Sequence, residues 1–257
     1  MIAVVDRHPL AAIVGTSGSG KSSLLRAGLI AQLTRGPVAS SRRFRIEVTT
    51  PTAEPLRSLG RLLLGSNAAP AQVSGLSSEM LTDAHTLYER LVDAPAESSS
   101  LSGVPASRVV IVVDQLEELF SQCLDPAERR AFVDNLVTAA VAGSTSESGP
   151  SVQVVIALRA DFYHRCADYE ALRQVLEAHQ IYIGPMTSRE LRRAIRGPAN
   201  RAAWAFEPGL VDLLLRDVGA GDSQMPEPGA LPLLSHALLE TWMRRQGRML
   251  TLQGYAD

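Results

Sequence analysis

The stretch GTSGSGKSS, residues 15–23, decides the fold of this chain. It matches the phosphate-binding loop pattern GxxxxGK followed by Ser or Thr, and it lies between an apolar run at 10–14 and a helical pattern at 21–33. The glycines let successive backbone N–H groups curl around phosphate oxygens, and the following helix adds its positive N-terminal end. The sequence therefore predicts nucleotide binding by the loop residues Gly15, Thr16, Ser17, Gly18, Ser19, Gly20, Lys21, Ser22 and Ser23.

Lys21 is the only lysine among the 25 basic residues of the chain, and all the others are arginine. A lysine is a compact charge on a flexible stem, so Lys21 would reach the β- and γ-phosphates where the broad fork of arginine would not fit. Ser22 would offer its hydroxyl to Mg²⁺. The alternative is a glycine-rich turn that matches the pattern by chance.

A second motif, VVIVVDQLEELF at 109–120, is an apolar strand that ends in Asp114 and runs into a short helix. Ligands of parallel sheets sit at the carboxyl ends of the strands, so Asp114 is predicted to hold Mg²⁺ through a water. Glu117 or Glu118 could orient and deprotonate an attacking water, and we place Glu118 slightly ahead. Alternatively, the two glutamates only favour the dipole of the first helical turn.

A third motif, VQVVIALRADF at 152–162, delivers Arg159 to the same edge of the sheet. An arginine there can sense or stabilise a γ-phosphate. Alternatively, Arg159 pairs with Asp161, and Asp161 caps the helix that follows. His164 and Cys166 are too few to indicate a metal site.

Apolar runs alternate with helical patterns along the first part of the chain, which predicts an α/β fold with a mostly parallel sheet. After residue 186 the strand signals cease, so we expect a core at 1–185 and a helical subdomain at 186–257. Two linkers rich in Ser, Gly and Pro, at 93–107 and 142–151, are expected to be surface loops. The further strands are predicted at 44–50, 109–113, 152–158 and 181–183, and the further helices at 54–64, 80–92, 115–122, 126–141, 168–178, 187–197, 208–217 and 230–245.

The helical subdomain offers Thr187 or Ser188 as a cap ahead of Glu190. The arginines that follow are expected to form a solvated basic face, with an approach to phosphates or to a neighbouring protomer as the alternative. These arginines are Arg192, Arg193 and Arg196. Pro232 falls at the start of the last helix, where proline is tolerated. Helical spacing predicts a core made of Leu233, Leu234, Ala237, Leu238 and Trp242.

Composition limits the function classes. With 257 residues, 46% apolar residues and a formal charge of −2, the chain is typical of globular proteins and not of strongly basic nucleic-acid-binding ones. No stretch approaches the roughly 20 apolar residues that a membrane span needs. The two cysteines have no metal-binding spacing. We therefore expect a cytoplasmic protein with neither a membrane nor a nucleic acid as partner.

Five motifs in order resemble the STAND class of P-loop NTPases, the signal-transduction ATPases related to NACHT and apoptotic ATPase proteins. The resemblance is to the bacterial branch often joined to WD repeats. The motifs are GTSGSGKSSLLRAGLI, VVDQLEELF, ALRADFY, IGPMTSRELRRAI and GALPLLSHALLETW. The resemblance implies a core of the additional-strand catalytic glutamate type, with the sensor strand inserted between the two motif strands. It also implies ATP or ADP with Mg²⁺ as cofactors, under a helical lid.

Residue by residue, Asp114 resembles the magnesium-site aspartate and Glu117 and Glu118 the acidic pair after it. Arg159 resembles the sensor arginine, and Pro232 the proline that packs near adenine in such lids. Relatives hold this NTPase between an effector and a sensor domain. The chain is therefore expected to be either a truncated gene product or a cut piece of a larger protein, ending about where a winged helix begins in relatives. Effector and sensor domains and a nucleotide-dependent homo-oligomer are the expected partners.

These inferences predict a nucleotide-dependent switch with slow hydrolysis of ATP. Three alternatives stay open at this point. A small-molecule kinase would use the same loop, a DNA-acting ATPase of initiator type would share the core and lid, and a binding module would hold the nucleotide without hydrolysing it.

Overall fold

The computed structural model describes residues 7–35, 44–65, 67–93, 108–145, 151–220 and 229–256. The chain divides into two compact units. The first contains Met1–Val14 and Lys21–Tyr182, and the second contains Gly15–Gly20 and Ile183–Asp257. Each unit has its own hydrophobic core.

The first unit is built on a five-stranded sheet made of β1 Leu10–Gly15, β2 Phe44–Thr49, β3 Arg108–Val113, β4 Ser151–Arg159 and β5 Gln180–Ile183. The order of these strands in the sheet is β2-β3-β4-β1-β5. β4 therefore lies between β3 and β1, which is the strand insertion that the resemblance implies. β2, β3 and β4 pair in parallel, with Phe44 opposite Arg108 and Arg108 opposite Ser151. The five strands confirm the predicted ones, with small changes at their ends.

Helices cover the sheet of the first unit. The helix after the loop, α1, begins with Lys21–Ser23, continues through a π-helical stretch Leu24–Ile30 and ends with Ala31–Arg35. A 3-10 helix at Ala160–Asp168 follows β4 directly. The other helices are α2 Pro55–Leu64, α3 Pro70–Thr82, α4 Thr86–Asp93, α5 Glu117–Ser121, α6 Pro126–Thr145 and α7 Glu170–Ala178.

The helix predicted at 80–92 is wrong, because two helices, α3 and α4, occupy this region. The backbone is extended at Asp83, where α3 ends. The Asp83 carboxylate accepts a hydrogen bond from the His85 N–H at 2.8 Å. The linker predicted at 142–151 is also partly wrong, since α6 continues to Thr145 and β4 begins at Ser151. The residues between them, and 94–107 of the other predicted linker, lie outside the described part of the chain.

A buried asparagine on α6 joins three helices of the first unit. Asn135 is fully buried, and its Oδ1 accepts a hydrogen bond from the Leu87 N–H at 3.3 Å. Its Nδ2 donates to the carbonyls of Met80 and Ala131 at 2.8 and 2.9 Å. The side chain therefore pairs backbone groups at the end of α3 and the start of α4, which no helical bond satisfies.

We expect Asn135→Leu to lower the free energy of unfolding by about 1–3 kcal/mol for each buried backbone group that it leaves unpaired. Urea denaturation measures this change. Asp134→Ala is the matched control, because Asp134 is the exposed neighbour on the same helix, and its effect should stay within about 0.5 kcal/mol. Equal stability of the two variants would show that the Asn135 hydrogen bonds do not stabilise the unit.

The second unit is mostly helical but also contains a small sheet. The expectation that strands cease after residue 186 is wrong, because β6 Ala205–Phe206 pairs in parallel with β7 Met249–Leu250. Each of these strands has only two residues, too short for an alternating pattern to stand out. The helices are α8 Ser188–Arg201, α9 Leu210–Asp217, α10 Ala230–Met243 and α11 Leu252–Ala256.

Thr187 caps α8 as predicted, since its hydroxyl accepts the Glu190 N–H at 3.3 Å while the Glu190 carboxylate accepts the Thr187 N–H at 2.8 Å. The basic face that follows is partly paired, because Arg192 forms a salt bridge with Asp212 of α9.

The core predicted on α10 is only partly correct. Leu234 is buried and Ala237 and Leu238 are partly buried, whereas Leu233 and Trp242 are 66% and 39% exposed. The guanidinium of Arg245 instead packs on the Trp242 ring, with Cζ 4.0 Å from the ring centroid. None of the helices among the described residues is long and apolar enough to cross a membrane.

Candidate functional site

Charged side chains of the first unit meet at the carboxyl edge of its sheet. Asp114 follows β3, Arg159 ends β4, and Lys21 begins α1. The charges of Asp114, Glu117, Arg159 and Asp161 all act on Lys21. We call these five residues the charged cluster. The sequence predicted four of its members from three separate motifs, and the structure brings them together.

Lys21 is a buried cation, with 8% of its surface exposed. Burial lowers the pKa of its ammonium, and the largest opposing influence is the charge of Glu117, which raises it. A desolvated ammonium gains strongly from an anion that comes into contact with it. Lys21 is therefore suited to bind a phosphate group.

Asp114 is the most deeply buried carboxylate of the cluster, at 2% exposed. Its Oδ1 accepts a hydrogen bond from the Ser22 hydroxyl at 2.7 Å, and its Oδ2 accepts one from Nη2 of Arg26 at 3.3 Å. No group of three or more His, Cys, Asp or Glu side chains suited to a metal occurs in the described ranges. One hydroxyl and one carboxylate nevertheless fit Mg²⁺, which keeps several waters and takes its other ligands from phosphates.

The two glutamates of α5 lie in different surroundings. Glu117 is 8% exposed, and its carboxylate accepts the Arg159 N–H at 3.2 Å. Burial raises the pKa of Glu117, opposed by hydrogen bonds from the backbone and by the charge of Lys21. Glu118 is only partly buried. Of the two, Glu117 is therefore the carboxylate that faces the cluster, whereas from the sequence we placed Glu118 slightly ahead as the residue that activates water.

Arg159 pairs with Asp161, which is the alternative that the sequence left open. Its Nε donates to Asp161 Oδ1 at 3.1 Å and its Nη2 donates to Oδ2 at 2.7 Å. The Phe162 ring also lies under the guanidinium, with its centroid 5.5 Å from Cζ. The second part of the alternative does not hold, because the 3-10 helix begins at Ala160 without a side-chain cap.

The glycine-rich part of the loop, Gly15–Gly20, belongs to the second unit, and its conformation requires glycine. Gly18 and Gly20 have φ angles of +69° and +91°, which side chains rarely adopt. A Cβ at Gly15 would come within 2.6 Å of the Ile183 carbonyl oxygen. Ser19 is 6% exposed, and its hydroxyl has no hydrogen-bond partner among the described residues. A buried polar atom in this position fits a loop that closes around an anion.

Pro232 lies against this loop. A Cβ at Gly18 would come within 3.0 Å of the Pro232 ring. Beside them lies a cavity of about 20 Å³, lined by Thr16–Ser19 together with Met186 and Gly229–Leu231. That volume has room for about one water molecule. A purine base could bind next to Pro232 only if the walls of this cavity moved apart.

Sequence reasoning missed one contact of the cluster. Arg26 lies four residues after Ser22 on α1, and both side chains reach Asp114. Residues four apart share a helix face, so this spacing could have indicated Arg26 once Ser22 and Asp114 were paired.

The sequence matches the family described as Novel STAND NTPase 1 over residues 1–257. The chain belongs to this family. Novel STAND NTPase 1 is the branch that the five sequence motifs resemble, and its P-loop NTPase fold agrees with the strand order observed here. Among curated proteins, none matches this chain.

Solved structures with the same fold include two archaeal proteins and one from an insect. The Aeropyrum pernix ORC1 protein in complex with DNA is 15% identical, with a TM-score of 0.61 over 96% of this chain and 57% of that one. The Aeropyrum pernix ORC2 protein in its ADP form is 17% identical, with a TM-score of 0.63 over 94% of this chain and 60% of that one. Drosophila ORC bound to DNA is 16% identical, with a TM-score of 0.53 over 97% and 54%. The chain thus spans somewhat more than half the length of these proteins.

Proposed function

We propose that this family member is an ATP-binding regulatory NTPase, a nucleotide-dependent switch that hydrolyses ATP slowly with Mg²⁺. The observation that carries the proposal is the charged cluster, in which a buried lysine, a hydroxyl-bonded aspartate and a buried glutamate meet. Phosphoryl transfer needs little more than positioning and charge stabilisation, and these are the groups that supply both.

Each residue would have one task. Lys21 binds the β- and γ-phosphates, and Ser22 and Asp114 hold Mg²⁺, which polarises phosphoryl oxygens and neutralises developing charge when bound. Glu117 accepts a proton from the attacking water, and its raised pKa favours that role because a good general base has a pKa close to the working pH. Arg159 contacts the γ-phosphate.

The resting contacts of these side chains support slow turnover. Arg159 is bound to Asp161, and both oxygens of Asp114 accept hydrogen bonds from Ser22 and Arg26. Nucleotide and Mg²⁺ would have to replace these partners before hydrolysis. A protein whose site has to rearrange in this way before hydrolysis suits a regulator, whose product is a change of state and not a metabolite. Effector and sensor domains, a nucleotide-dependent homo-oligomer and a cytoplasmic location belong to the same proposal.

Phosphate release from ATP tests the proposal, measured with and without Mg²⁺. We expect turnover that stops without Mg²⁺ and does not rise when alcohols or nucleosides are added as acceptors. Transfer of phosphate to an added acceptor would indicate a small-molecule kinase instead. ATP that stays bound and uncleaved over hours would indicate a binding module without hydrolysis.

A DNA-acting ATPase is the second candidate, and the solved structures favour it. Two of the similar proteins named above were solved with DNA, so the expectation that nucleic acid is no partner has no support from them. Added duplex DNA distinguishes the two functions. A regulatory switch should show unchanged turnover, whereas an initiator-type ATPase should be stimulated.

A further inference from the structure

Asp161 is an acidic residue that the proposed hydrolysis does not use, although it holds a side chain that hydrolysis needs. Two nitrogens of the Arg159 guanidinium donate to its two carboxylate oxygens, at 3.1 and 2.7 Å. Arginine binds a phosphate group with the same two-pronged geometry. The carboxylate therefore occupies the donors that a phosphate would use.

The position of Asp161 strengthens this likeness to a phosphate. Its charge acts on Lys21 and raises the pKa of that ammonium. Asp161 thus lies near both cations that we assign to the phosphates of ATP. The hydrogen bonds from Arg159 lower the pKa of Asp161, so the carboxylate is ionised at neutral pH.

The pair can open without unfolding the unit. The side chains of Arg159 and Asp161 are 37% and 54% exposed, and exposed ion pairs are worth little because water screens them. The Phe162 ring packs on the same guanidinium. This contact holds the Arg159 side chain in place when its hydrogen bonds to Asp161 are broken.

We propose that Asp161 takes the place of the γ-phosphate on Arg159 and thereby lowers the preference of the site for ATP over ADP. The terminal phosphate of ATP displaces the carboxylate from Arg159, whereas ADP leaves the pair closed. Only ATP binding then carries the cost of breaking the pair. This inference rests on the proposed function and names a residue that regulates the same site.

A double-mutant cycle tests the inference. Calorimetry gives the Kd of ADP and of an ATP analogue with a methylene bridge between the β- and γ-phosphates. The proteins are the wild type, Asp161→Asn, Arg159→Ala and the double variant. The quantity compared is the affinity ratio, the Kd of ADP divided by the Kd of the analogue. We expect Asp161→Asn to raise this ratio by about two- to five-fold, the range of an exposed ion pair. In the Arg159→Ala background only the effect of the Asp161 charge on Lys21 remains, so the same change should alter this ratio clearly less.

Asp168→Asn is the matched control, because Asp168 is exposed on the same 3-10 helix and its loss removes the same charge. Its ratio should equal that of the wild type. An unchanged ratio in Asp161→Asn, or the same change with and without Arg159, would overturn the inference. Failure of nucleotide binding, on which the proposed function depends, gives a different result: the wild type would then bind neither the analogue nor ADP, and both proposals would fall.

Discussion

Lys21→Met should abolish measurable binding of ATP. The buried ammonium is the cation of the glycine-rich loop, and loss of one partner of a buried charge pair costs about 2–5 kcal/mol. That corresponds to at least about 30-fold weaker binding in a calorimetric titration. Methionine keeps the apolar stem of the side chain, so the comparison isolates the charge.

Stability provides the control for this variant. Burial lowers the pKa of Lys21 below 10.5, so the unfolded chain binds more protons at this residue than the folded chain does. The charged form therefore opposes folding. This opposition is complete below the lowered pKa, and it is gone only when the pH exceeds the ordinary value of 10.5. At neutral pH Lys21→Met should melt no lower than the wild type. Unchanged ATP affinity in a folded Lys21→Met variant would remove the assignment of the loop.

Glu117→Gln should slow ATP turnover by about 10²–10⁴-fold, the usual contribution of a general base. The amide oxygen of glutamine can still accept the Arg159 N–H, so nucleotide binding and folding should be retained. Glu118→Gln is the matched control on the adjacent residue and should leave turnover nearly unchanged. Slow turnover in Glu118→Gln alone would restore the order that the sequence suggested.

The raised pKa of Glu117 predicts opposite trends of turnover and stability with pH. Turnover should fall as the pH drops through the pKa of Glu117, which burial places above its ordinary 4.5. The stability that this group contributes is greatest below its unfolded pKa, and it is lost as the pH rises through the folded pKa. In Glu117→Gln both trends should disappear, as pH-dependent turnover and thermal melting can show.

The fold of the first unit is predictable from the sequence because β1, β3 and β4 are nearly continuous apolar runs. Adjacent residues of β3 such as Val110 and Ile111, which point to opposite faces of the sheet, are both fully buried. Neither face is therefore marked by alternation, and the length of the run identifies the strand. The motif residues Lys21, Asp114 and Arg159 could be assigned to one edge because parallel strands end on the same side.

Which of the two glutamates faces the cluster could not be predicted from the sequence, because it depends on a single backbone turn. Gln115 has a φ of +56°, and the next N–H, of Leu116, donates to the Ala157 carbonyl at 2.8 Å. This turn sets which face of α5 meets the cluster. Adjacent helical residues point in directions about 100° apart, so the turn brings Glu117 inward and leaves Glu118 partly exposed.

The pairing of Arg159 with Asp161 could be stated from the sequence only as an alternative. Residues two apart after a strand can approach each other or diverge, depending on the conformation that follows. Here a 3-10 helix begins at Ala160 and brings the two side chains together. The exposed side of α10 was missed for a related reason, because helical spacing shows which residues share a face but not whether that face is covered.

The most direct test of the nucleotide switch is the mass-spectrometric identification of nucleotide released from freshly purified protein, followed by Mg²⁺-dependent turnover with added ATP. Our account predicts retained ADP or ATP and slow turnover that requires Mg²⁺. A protein without bound nucleotide, with fast turnover that depends on an added acceptor, would contradict it.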